Sequence, residues 1–126
     1  MTIIGTGVDI LEIERIEKII KEKPRFVERF FTVEEQKFFA LRLMSVETIA
    51  AGFASKEAVV KAMGTGFRGF EMKDVEILRD SLGKPIVNLY GKAKDIALGL
   101  EIDSFQISIS HSDHYAVSFV IALRNL

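Results

Sequence analysis

Ser45-Val46-Glu47-Thr48-Ile49-Ala50-Ala51-Gly52-Phe53-Ala54-Ser55-Lys56-Glu57-Ala58-Val59-Val60-Lys61-Ala62-Met63-Gly64 decides the fold, because it reads as one long central helix. Ile49, Phe53, Val60 and Met63 keep a buried helical register, and Gly64 supplies the C-cap. Ala54, Ala58 and Ala62 stud the helix with small side chains, which close approach of another element requires. Lys56, Glu57 and Lys61 bring charge to its second half, just before Gly64-Thr65-Gly66.

On the N-terminal side, Thr2 to Val8 is a short apolar run broken by Gly5 and Gly7, fitting a strand that something approaches closely. Asp9 opens a helical pattern in which Ile13, Ile16 and Ile20 form the buried stripe, with Glu14, Arg15, Lys18 and Lys21 outside it. Pro24 ends that helix. Arg25 to Phe31 is a short helical turn rich in phenylalanine, and Thr32 with Glu35 forms a capping box for the next helix. After Gly69 the pattern turns strand-like: Val75 to Leu78, a turn through Ser81-Leu82-Gly83-Lys84, then Ile86 to Leu89 beyond Pro85. Tyr90 to Leu98 is a further short helix, and Phe105 to His111 pairs with Tyr115 to Leu123. This order predicts an α+β fold, with helices packed on a small, mainly antiparallel sheet.

The chain has 126 residues, 48% of them hydrophobic, which suits one compact domain over residues 1–126. Seventeen basic residues against eighteen acidic ones leave a net charge of -1, so no global positive field exists to hold nucleic acid. The absence of cysteine excludes disulfides, thiolate nucleophiles and cysteine-bound zinc. No secretory signal or membrane-length apolar run is visible, predicting a soluble, cytoplasmic protein with no membrane partner.

Several polar residues stand in apolar surroundings. Asp9, after a glycine-rich strand, is either a helix N-cap or a hard oxygen ligand for Mg²⁺, and the two roles are compatible. Glu57 and Lys61 stand in the favourable order for a helical ion pair; on the functional reading they are a metal ligand and a phosphate-neutralising cation. Gly64-Thr65-Gly66 follows a helix C-terminus, which repels anions, so it needs Lys56 or Lys61 and a cation to meet phosphate. His111 shares a strand face with Phe105, Ile107 and Ile109, so it reads either as a hydrogen-bonded core-edge histidine or, with the hydroxyls of its neighbours Ser110 and Ser112, as a group for an anion or a proton transfer. No serine sits in a nucleophile elbow. Two distant carboxylates, a lysine and a glycine-bounded loop suit a phosphoryl-group transferase.

Gly5-Thr6-Gly7-Val8-Asp9-Ile10 with Glu12 and Arg15, Phe53 to Gly66, Gly83-Lys84-Pro85, and Ile109-Ser110-His111-Ser112 with Tyr115-Ala116 together resemble the holo-[acyl carrier protein] synthase family. The match runs nearly end to end, four motifs in order. The resemblance implies the 4'-phosphopantetheinyl transferase fold and transfer of phosphopantetheine from coenzyme A to a serine of apo acyl carrier protein, within fatty acid and lipid biosynthesis. It also implies Mg²⁺ and a homotrimer with active sites at subunit interfaces. On this basis Asp9 and Glu57 hold the metal and, with Lys61, carry catalysis. Lys56, Lys61, Gly64, Thr65, Gly66, Lys84, Pro85, His111 and Ser112 line the coenzyme. The serine's proton goes to Glu57 or to a metal-bound water, both options remaining open.

Carrier proteins of this kind are acidic, so Arg15, Lys18, Arg25 and Arg29 supply a local basic patch, with Phe26 as apolar anchor. A solvated mixed-charge face is the alternative, since Glu14, Glu17, Glu22 and Glu28 intervene. The chain departs from the resemblance at Gly52, where many relatives have arginine. Two other classes stay open: a module that only binds coenzyme A or a carrier protein, and a metal-dependent phosphohydrolase using water.

Overall fold

The computed structural model describes residues 1–125. Strand β1 (Thr2–Glu12) leads into helices α1 (Ile13–Glu22), α2 (Phe26–Phe30), α3 (Val33–Leu41) and α4 (Val46–Met63). A 3₁₀ turn (Met72–Asp74) precedes the hairpin β2 (Val75–Arg79) and β3 (Pro85–Leu89). Helix α5 (Gly91–Gly99) and the strands β4 (Ser104–His111) and β5 (Tyr115–Arg124) complete the order. Two antiparallel sheets result, β1-β5-β4 and β2-β3, so the α+β expectation holds.

Helix α4 lies across the inner face of the larger sheet and divides the core. On one side Val59, Ala62 and Met63 pack with Val75, Ile77, Ala93, Val120 and Ala122. On the other, Ile49, Ala50 and Ala51 pack with Ile13, Ile16, Phe26, Phe31 and Phe39. The hydrophobic effect explains both clusters: each helix turns its apolar stripe inward and leaves its charges wet. Gly64 closes α4 at φ 75°, its N–H donating to the carbonyls of Lys61 and Val60.

The Thr32 capping box forms as expected: Thr32 Oγ1 accepts from the Glu35 N–H at 3.2 Å and Glu35 accepts from the Thr32 N–H at 2.9 Å. Asp9 does not open α1. Strand β1 continues to Glu12 because β5 is long enough to pair with it throughout, setting Asp9 opposite Ser118 and Glu12 opposite Tyr115. Pairing along a ten-residue partner outweighs the local preference of aspartate for a helix start. Helix α1 begins at Ile13 without any side-chain cap.

Candidate functional site

Two glycines bring β1 onto α4. A Cβ at Gly5 would meet the Ala62 carbonyl oxygen at 2.1 Å, and one at Gly7 would meet the Ala58 carbonyl oxygen at 2.0 Å. Small residues on the helix and none on the strand therefore let backbone touch backbone. Asp9, two residues beyond Gly7 on the same face, is thereby delivered to the end of α4 that carries Glu57 and Lys61.

Lys61 does not pair with Glu57. Its Nζ donates to Asp9 Oδ1 at 2.9 Å and to the Val8 carbonyl at 3.0 Å, joining helix and strand. Asp9 is 17% exposed and Lys61 52%, so the contact sits at the rim of the core. Burial, then the nearby Asp9 charge, raise the Glu57 carboxyl above its ordinary range, and Lys61 opposes them. On β5, Ser118 stands opposite Asp9 with a fully buried hydroxyl that has no hydrogen-bond partner among the described residues. Ser118 interrupts the buried row Ala116, Val120 and Ala122, a lone polar position in an alternating apolar pattern that the sequence itself displays.

Lys56, five positions before Lys61, has the opposite fate. It is 0% exposed and donates to Glu35 Oε1 at 2.7 Å, to the Met72 carbonyl at 2.9 Å and to the Val75 carbonyl. Glu35 also accepts from the Ile77 N–H at 2.9 Å. Burial lowers the Lys56 pKa and raises that of Glu35, while their mutual attraction opposes both shifts. Lys56 is thus removed from the coenzyme-lining set: all three of its protons are engaged inside the core. Glu35 and Glu76 are the buried acids that sequence reasoning missed. Glu76 accepts from Thr32 Oγ1 (2.6 Å), Asn88 Nδ2 (3.1 Å) and Tyr90 OH (2.9 Å).

The remaining residues spread outward. Thr65 Oγ1 donates to the Gly66 carbonyl at 2.9 Å, directly past α4. His111 is exposed beside Glu47, and Glu47 stands ten positions before Glu57, roughly 15 Å along the helix. Ser112 Oγ accepts from the N–H groups of His114 and Tyr115, bracing the β4–β5 turn. Lys84 and Pro85 line a cavity of about 720 Å³ with Asn88, Tyr90, Lys94 and Phe105, which neither Asp9 nor Glu57 touches. One chain therefore brings together Asp9, Glu57, Lys61 and the Gly64–Gly66 loop, and leaves Lys84, Pro85, His111 and Ser112 apart from them.

On the basic face, Arg15, Lys18, Arg25 and Arg29 are exposed. Arg25 makes two hydrogen bonds to Glu28, and Arg29 lies 5.5 Å over the Phe30 ring. Phe26 is not an exposed anchor: it is 5% exposed and packs against the rings of Phe30, Phe31 and Phe53. Its register on α2 turns it into the core.

The model of a family described as the 4'-phosphopantetheinyl transferase superfamily matches residues 5–120. The chain belongs to that superfamily. Within it, the chain is 53% identical to the holo-[acyl-carrier-protein] synthase of Clostridium botulinum over 117 residues, 93% of this chain and 94% of that one. The solved synthase of Neisseria meningitidis superposes with a TM-score of 0.90 at 32% identity, over 98% of this chain and 100% of that one. The synthase of Bacillus anthracis, solved in complex with CoA (3',5'-ADP), superposes with a TM-score of 0.80 at 35% identity, over 99% of this chain and 100% of that one.

In this superfamily member no three His, Asp or Glu side chains converge as a metal site among the described residues. Asp9 and Glu57 still fit Mg²⁺, which takes one or two carboxylates and completes its shell with water and substrate phosphates. A lysine ammonium already lies against one of these carboxylates, showing that the position accepts a cation. Among the described residues no helix is long and apolar enough to cross a membrane.

Proposed function

We propose that the chain transfers 4'-phosphopantetheine from coenzyme A to a serine of apo acyl carrier protein, releasing adenosine 3',5'-bisphosphate. The observation that carries this is the convergence of Asp9, Glu57 and Lys61 from β1 and α4, in a chain whose close relatives are synthases of this kind. Phosphoryl transfer rests mainly on positioning and charge neutralisation, which two carboxylates and a lysine provide without a nucleophile of the enzyme's own. The carrier's serine oxygen forms the new P–O bond as the bridging P–O bond of the pyrophosphate breaks toward the adenosine side. The serine proton leaves to Glu57 directly or to a water beside it. Lys61 neutralises the leaving phosphate. Asp9 and Glu57 would hold Mg²⁺, whose charge would add to that of Lys61 on the pyrophosphate.

The chain acts as a homotrimer in the cytoplasm, serving fatty acid biosynthesis. Two observations support the trimer. The outer face of the larger sheet carries the exposed side chains of Val8 (54%), Ile10 (63%) and Phe119 (43%), an apolar surface suited to a second copy. Lys84 and Pro85 line a cavity that neither Asp9 nor Glu57 touches within one chain, as a site completed by residues of a second copy would require. Arg15, Lys18, Arg25 and Arg29 present the carrier-docking face.

Mass spectrometry of apo carrier protein incubated with coenzyme A and Mg²⁺ tests the reading. A phosphopantetheine adduct that is lost with Glu57→Gln supports it. Release of a hydrolysed coenzyme with unmodified carrier protein would overturn it in favour of a phosphohydrolase.

A further inference from the structure

Lys61 stands where a divalent cation would stand. Its ammonium is 2.9 Å from Asp9 Oδ1, and the Val8 carbonyl at 3.0 Å gives it a second anchor on β1. No other Lys or Arg pairs with Asp9 or Glu57 among the described residues. The lysine is 52% exposed, so its four-carbon stem is free to swing outward while Asp9, 17% exposed on a strand locked against α4 by Gly5 and Gly7, is not. Ammonium and metal ion compete for one carboxylate, and they repel each other.

We propose that Lys61 is a resident counter-ion that keeps the Asp9–Glu57 pair closed to divalent cations until a phosphate-bearing substrate draws it away. Resting on the metal reading above, this assigns Lys61 two positions. In the free protein it neutralises Asp9. With coenzyme A bound, the pyrophosphate would take the ammonium, and Asp9 would be free, with Glu57, to hold a divalent cation. Cation and coenzyme then strengthen each other's binding by the same factor. The free protein is spared a tightly held metal in the wrong geometry.

Direct contact between cation and pyrophosphate also couples the two ligands, so the decisive measurement is made without coenzyme. Mn²⁺ is titrated into the free protein at fixed pH and ionic strength, and unbound Mn²⁺ is followed by electron paramagnetic resonance. Lys61→Met should bind Mn²⁺ roughly two- to fivefold more tightly than wild type, the scale of one exposed ion pair removed. Lys61→Arg, which keeps the charge, should stay near wild type, as should Lys37→Met, which neutralises a lysine on α3 paired with Glu34. Asp9→Asn in the Lys61→Met background should abolish the gain. Circular dichroism checks folding, and Lys61→Gln replaces the methionine variant if that one unfolds.

If Lys61→Met and Lys61→Gln, both folded, bind Mn²⁺ no more tightly than wild type while Asp9→Asn weakens binding, the counter-ion role is wrong and the metal reading stands. If Asp9→Asn and Glu57→Gln leave Mn²⁺ binding unchanged in every background, the cation does not use this pair and both readings fall.

Discussion

Lys56 and Lys61 sit five positions apart on one helix, and they do opposite things. Lys56 is enclosed and fully hydrogen-bonded, tying α4 to Glu35 on α3 and to the Met72 and Val75 carbonyls where the chain enters the hairpin. Lys61 reaches solvent and holds a single acid at the rim. The five helical steps from one to the other turn the helix through roughly 500°, enough to move from the core side to the strand edge. A charged residue near a candidate site is therefore informative only once its partners and its access to water are known.

The widest gap should appear in stability. Lys56→Met leaves Glu35 buried without its counter-charge and should cost about 3–5 kcal/mol in urea unfolding. Adding Glu35→Leu should return part of that loss, because the stranded acid goes with its partner. A single variant as stable as wild type would show that the pair contributes nothing the core could not replace.

Lys61→Met should behave in the reverse way. Its stability should change by no more than about 1 kcal/mol, while transfer to carrier protein, followed by mass spectrometry, should fall roughly 10²- to 10³-fold. Retained turnover would remove Lys61 from the catalytic set and leave Asp9 with a structural ion pair.

The exposed cations of α1 extend the wet side of the comparison. Arg15 makes no ion pair among the described residues, so Arg15→Glu should raise KM for carrier protein about tenfold and leave KM for coenzyme A unchanged. Raising salt should shrink that difference, since exposed charges are screened over roughly 8 Å at physiological ionic strength. An equal rise in both constants would move the docking face elsewhere.

The smallest effect belongs to the dry side and shows only with pH. Burial pushes the Glu76 carboxyl up, but hydrogen bonds from Thr32, Asn88 and Tyr90 and the charge of Lys56 together hold it below its ordinary range. A lowered folded-state pKa means that Glu76 contributes stability above its unfolded pKa, about 4.3, and loses it as pH falls through the folded value. The urea midpoints of wild type and Glu76→Gln should therefore differ at pH 7 and converge in acid. A gap that stays constant from neutral to acidic pH would contradict the assignment.

Much of this molecule is legible in its sequence. The long helix and its Gly64 cap, the Thr32–Glu35 box, both hairpins and the small-residue stripe Ala54, Ala58 and Ala62 follow from periodicity and capping over a few residues. Asp9 was misplaced as a helix start because strand pairing with Ser118, more than a hundred residues away, decides its backbone. Phe26 was misread as a surface anchor because a five-residue helix is too short for its pattern to show which way it faces.

Spacing alone determined that a lysine, an acid and a second lysine would share one helix that ends in a glycine loop, because backbone hydrogen bonding is local. Only the packed fold decided that Lys56 would be dry and Lys61 wet, and that Lys61 would hold Asp9 in place of Glu57. A charge takes its partner from whatever long-range packing sets beside it, and here Gly5 and Gly7 bring β1 close enough to α4 to make that choice.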